Sequence, residues 1–243
     1  LKTEEQKDDE AYFELKKLIS DHLYLFPLDE AKENIDQALN YTIKQVNQGK
    51  KNFEKESLDL YKQALASEVL LTNGQLEVSD YRNIAVMAMR IGAYKWVTTF
   101  IQEYKEYLDE KDKMNAYYFS LARLETYKKN FQMVVENLNR IEYDDLWYSL
   151  NGKTLLVVAY FELQELNALE SLIQSFKVYI QREKSLVKAK KSVYLDFVKF
   201  TNKLTKLTKY DQTQLKKLKE ELVAAPAVVN KPWLLEKIAL MIK

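Results

Sequence analysis

At 243 residues, with 47% apolar and 30% charged side chains, the chain has enough apolar surface to fold, which excludes a disordered polypeptide. Four Gly and three Pro are too few for the tight turns of an all-β or α/β protein, and the absence of Cys removes disulfides, thiol nucleophiles and thiolate metal ligands together. The formal net charge of +1 hides an asymmetry: residues 181–243 hold 15 basic and 6 acidic side chains, net +9, against net −8 over the first 180.

In chain order, the first expected helix runs from about Glu5 to Leu25 and ends at Pro27, because proline disfavours helical geometry in the residue before it. Asp8 and Asp9 read as solvated, and the single His, His22, lies between Leu18 and Leu23 as a packing or surface residue. A second helix is expected near Asp29 to Val46. After the break Gln48-Gly49-Lys50-Lys51-Asn52, Ser57, Tyr61 and Ala64 open an apolar stripe on a third.

From Asp80 onward the pattern repeats with a period in the mid-thirties, each unit being two amphipathic stretches around a polar corner. The corners are Gly92-Ala93-Tyr94, Lys129-Asn130-Phe131 and Glu165-Leu166, so the anchors Tyr94, Phe131 and Leu166 stand 37 and 35 residues apart. Three, seven and ten positions behind each anchor come Val97, Ile101 and Tyr104; Val134, Leu138 and Ile141; Leu169, Ile173 and Phe176. Such spacings form one helical stripe. Ahead of the anchors stand Tyr81, Ile84, Ala85 and Ala88; Tyr118, Leu121 and Ala122; Leu156, Val157 and Tyr160. Asp144-Asp145 opens a helix at its positive end. Glu183 to Thr208 reads as one long helix, with Leu186, Val193, Phe197, Phe200, Leu204 and Leu207 on one face and Lys184, Lys188, Lys191, Lys199, Lys203 and Lys206 opposite. Shorter helices are expected from Gln212 to Ala224, before Pro226, and from Pro232, a residue suited to a first helical turn. No strand is needed anywhere.

The large-Leu-small-Tyr order of the first helices and the small-then-aromatic order of the second resemble the tetratricopeptide repeat, over about residues 78–180 and more faintly from 28. Ala85 and Ala122 fill its small slot. Glu125, Lys153 and Val157 depart from it, at positions where the family carries Tyr, a large aromatic and Gly or Ala, and no Pro closes the units. The resemblance implies an all-α fold, a right-handed α-α superhelix of antiparallel helix pairs. The domain expectation is one helical-repeat domain over 1–243, with a leading helix at 1–27, helix pairs at 28–180 and basic capping helices at 181–243.

Catalysis has little to work with. The chain has no phosphate-binding Gly loop, no HExxH and no EF-hand loop, and the adjacent acid pairs point about 100° apart on a helix. No enzyme activity, cofactor or metal is expected. Arginine is more informative: five Arg stand against 32 Lys, so an Arg position asks for something Lys does not supply. Arg82, Arg90 and Arg123 fall on first helices, which in the resembling family line a concave groove; Phe119, Tyr127 and Asn151 would join them there. Planar guanidinium groups beside aromatics suit an acidic peptide or a terminal carboxylate. The alternative is that these arginines pair with Asp80, Glu103 or Glu125 inside the repeats.

The expected function is therefore a non-catalytic protein-interaction module, with a structural or regulatory docking segment of a larger protein as the alternative. The lysine face is poor in Arg and aromatics, which argues against nucleic acid, while the opposed charges of the two halves allow a homo-oligomer. The apolar run 155–161 is too short to span a bilayer, so no membrane association is expected. The lack of Cys suits the cytoplasm, and a first residue of Leu rather than Met suggests a trimmed or processed piece of a longer protein.

Overall fold

The computed structural model describes residues 4–242, so residues 1–3 of the expected leading helix lie outside it. The described residues form twelve α-helices, two 3-10 turns and one short hairpin, an all-α protein with almost no sheet. No described helix is long and apolar enough to cross a membrane. The chain divides into two units at Glu142/Tyr143.

In the first unit, α1 (Glu4–His22) and a 3-10 turn (Leu23–Leu25) lead into α2 (Leu28–Asn47) and α3 (Asn52–Ala66). The stripe of α3 is buried as expected, and Ser57 donates to Thr42 of α2 at 2.8 Å in the dry seam between them. Asp9 is not simply solvated. It accepts from the Tyr41 hydroxyl and lies 3.4 Å from the Lys50 amine.

The expectation of no strand fails between Leu71 and Leu76, where β1 (Leu71–Thr72) and β2 (Gln75–Leu76) pair antiparallel. Asn73 and Gly74 between them both have positive φ, 54° and 78°, the turn that an Asn-Gly pair favours. The hairpin tucks Leu76 into the core.

α4 (Val78–Arg90) pairs with α5 (Tyr94–Tyr104), and α6 (Glu110–Tyr127) with α7 (Phe131–Leu138); α4 also packs on α3 and α6. Tyr94 and Phe131 are the first residues of the second helix in each pair. At the corner before each, one residue is left-handed: Gly92 at φ 75° and Lys129 at φ 60°, as is Gly49 at 91° after α2. The hydrogen bonds repeat too. Gly92 N donates to Met89 O and Ala93 N to Ala88 O, as Lys129 N does to Thr126 O and Asn130 N to Glu125 O, the Schellman arrangement that satisfies the last carbonyls of a helix. Val97, Ile101, Val134 and Leu138 are fully buried, each side chain contributing about 1.5–3 kcal/mol. Ala85 and Ala122 are buried on α4 and α6, and the Tyr81 hydroxyl donates to Ile101 O at 2.7 Å, tying α4 to α5.

In the second unit, α8 (Leu146–Glu162) begins at Asp145, whose carboxylate accepts from Trp147 N at 2.7 Å and Tyr148 N at 3.1 Å and so caps the helix. A third corner of the same kind, with Gln164 at φ 58°, leads to α9 (Leu166–Arg182), again starting on its anchor residue. The continuous helix expected from Glu183 to Thr208 is not formed: α10 spans only Lys188–Leu204. The Glu183 carboxylate accepts from Ser185 N at 2.9 Å and from its hydroxyl at 2.7 Å, which turns the chain, and Leu186 drops into the core. Lys184 and Lys206 therefore lie outside the helix. α11 (Gln212–Ala224) and α12 (Lys231–Met241) follow as expected, with Pro232 in the first turn. α12 is clasped to α8. Glu162 accepts from Trp233 Nε1 at 2.7 Å and from Lys237 Nζ at 2.6 Å, with Phe161 edge-on to the Trp233 ring.

Candidate functional site

Five of the six residues singled out from sequence lie on α4 and α6 in the first unit, Arg82 and Arg90 on α4 and Phe119, Arg123 and Tyr127 on α6. Phe119, Arg123 and Tyr127 are spaced four apart on α6 and so lie on one face. Arg123 sits with its guanidinium carbon 6.0 Å from the centre of the Phe119 ring, and Tyr127 is near enough to act on its charge. Arg90, at the C-terminal end of α4, is near enough for its charge to act on Arg123.

The electrostatics of Arg123 are unusual. Burial pushes its guanidinium pKa below the ordinary value, and the neighbouring Arg90 charge pushes the same way, while Tyr127 opposes both. No carboxylate among the described residues makes an ion pair with it. Taking a guanidinium even partly out of water without a counter-ion is costly.

Arg90 does have a partner, but not one expected from sequence. Its Nη1 lies 3.7 Å from Glu54 Oε1 of α3, beyond hydrogen-bond distance. Asp80 instead senses Asp36 and Lys32; burial first, and the Asp36 charge second, raise its carboxyl pKa. Glu125 accepts from Lys128 at 3.0 Å and from Asn130 Nδ2 at 3.1 Å, bracing the corner after α6. It stands where the resembling family has Tyr, and its role is local.

Phe119 is a correction. It is 1% exposed and belongs to the core beneath Arg123, not to an open groove wall. Tyr118, expected in the core, is half-buried instead, its hydroxyl accepting from Arg140 Nη1 at 3.2 Å. Phe119 rather than Tyr118 fills this part of the core, and the Tyr118 hydroxyl stays at the surface. Arg82 is half-buried on α4 and is not free of partners. Asn151 lies on α8 of the second unit, where its amide donates to Trp147 O at 2.8 Å, one turn back on the same helix.

Sequence reasoning missed two features. Glu54 gave no signal, since nothing in its spacing ties it to Arg90. Gly152 did give one: in a chain with four glycines, one inside a helix marks a close approach. A Cβ there would fall 2.6 Å from Tyr143 Cε1, so the Tyr143 ring lies directly against α8. Beside it, the Lys153 amine sits 4.6 Å from the Tyr143 ring centre and 5.3 Å from that of Tyr179. Lys153 thus contacts two aromatic rings from outside α8.

No family model, curated protein or solved structure matches this chain.

Proposed function

We propose that this chain is a non-catalytic protein-interaction module of the tetratricopeptide type, and that the α4–α6 face of its first unit docks an acidic segment of a partner protein. The repeat reading rests on the corners: left-handed residues at 92, 129 and 164, spaced 37 and 35 apart, each two residues before a second helix. Buried Ala85 and Ala122 fit the small slot that lets first helices approach.

The observation that carries the docking reading is Arg123, a half-buried guanidinium with the Arg90 charge acting on it and no ion-paired carboxylate among the described residues. A partner carboxylate arriving there gains charge-assisted hydrogen bonds in a low-dielectric site, with Tyr127 available as a further hydrogen-bonding group. Such a contact forms the buried centre of an interface, where single residues contribute most of the affinity.

Affinity capture from native lysate tests this. The double variant Arg90→Ala, Arg123→Ala is expected to keep its helicity by circular dichroism and to lose the captured partner. Unchanged capture by the folded variant overturns the reading.

A further inference from the structure

The lysines of the second unit form a surface that the α4–α6 reading leaves unused. Two adjoining hollows of about 420 and 450 Å³ share Lys203. The first lies between α9 and α10, with Ile173 and Val198 as an apolar floor and Lys177 and Lys199 on its rim. The second lies between α10 and α11, floored by Leu207 and Leu218 and edged by Lys206 and Lys217. Amides punctuate both: Gln174, Gln181 and Asn202 in the first, Gln214 in the second.

A carboxylate already sits in the second hollow. Glu221 accepts from Lys203 Nζ at 2.5 Å, and the Lys203, Lys217 and Lys199 charges add to that hydrogen bond in holding its carboxyl below the ordinary carboxylate range. The other acid in the lining, Asp196, is engaged by the Ser192 hydroxyl at 3.3 Å. Five lysines face two acids, so the groove has cationic charge in excess.

The lining distinguishes among anionic occupants. It contains no Arg and no aromatic side chain, so it offers neither a bidentate fork nor a stacking platform for bases. An apolar floor gives nothing to a phosphate chain. Side-chain amides both donate and accept, which matches a peptide backbone. Lys199 and Lys203 are one helical turn apart, about 6 Å, and alternate side chains of an extended peptide recur at about 6.6 Å.

We propose that the α9–α10–α11 groove binds an extended peptide whose acidic side chains reach the lysine rim while alternate apolar side chains settle on the floor. This site is independent of the one on α4–α6.

Fluorescence polarisation with the full chain tests it at roughly 150 mM salt, where charges more than about 8 Å apart are screened. The probe is an end-blocked peptide of about ten residues alternating Glu with Val or Leu. Binding is expected to weaken about tenfold in the Lys199→Glu, Lys217→Glu variant, whose exposed positions tolerate the change, and to persist in Arg123→Ala. Replacing the apolar residues of the probe with Ser should weaken it as well. Equal binding by the double lysine variant overturns the proposal, as does an oligo-dT of equal charge binding as tightly, which assigns the groove to nucleic acid. Loss in Arg123→Ala alone moves the peptide to α4–α6 and leaves that reading standing.

Discussion

The helix pairs from α2 to α7 and the helices from α9 to α12 hold themselves together by different means. The first are joined by local devices: a Schellman corner after α2, α4 and α6, and apolar stripes that recur at fixed offsets. The second are tied back to α8 by contacts far apart in sequence, those of Glu162 with Trp233 and Lys237 of α12. Their cationic surfaces differ in the same way. Arg123 is half-buried over Phe119 within a packed pair, whereas Lys177, Lys199 and Lys217 stand exposed around an open groove. A half-buried guanidinium gives strength and geometry to a single contact; wet ammonium groups give a field that steers many.

The largest expected effect comes from breaking the long-range clasp. Glu162→Ala removes a carboxylate that accepts from two donors in a half-buried seam and should destabilise the second unit by about 3 kcal/mol. Hydrogen exchange would read this as lost protection in α8 and α12, with α4 to α7 unchanged. Loss of protection spread evenly over both units would break the contrast between local and distant tethering.

A smaller effect is expected at a corner. Gly92 has open space around its Cα, so Ala fits there sterically but must hold φ at 75°. Gly92→Ala should therefore cost about 1–2 kcal/mol from backbone strain alone, measured by urea denaturation. The converse change, Lys129→Gly, relieves that strain at the next corner and should raise stability by up to about 1 kcal/mol. A neutral pair of results would show that the corners are not what joins the helix pairs.

Much of this fold was legible because the signals were local. Tyr94, Phe131 and Leu166 mark the starts of second helices, and Val97, Val134 and Leu169 occupy the buried stripe, since helical periodicity needs only near neighbours to be read. The long helix expected at 183–208 fails because a Glu183–Ser185 side-chain bond competes with the helix, and neither Gly nor Pro advertises it. The hairpin at Asn73-Gly74 was written in its turn residues, but each strand is only two residues long and carries no periodicity.

The site was legible in part. Arginine scarcity drew attention to Arg90 and Arg123, which the fold does bring near one another. Phe119 is buried in the core rather than open to a groove, and the spacing of Phe119, Arg123 and Tyr127 along one face does not distinguish the two. Glu54 reaches Arg90 from α3, and a contact across that span of sequence leaves no trace in spacing.

The thermal midpoint of Arg123→Met tests most directly whether Arg123 is held for a ligand or for the fold. Methionine keeps the length and the contact with Phe119 while removing the unpaired charge. If Arg123 awaits an anion, relieving its desolvation should raise the midpoint by roughly 2–4 °C, and the same variant should lose the captured partner. A lowered midpoint would make Arg123 a structural residue and contradict the account.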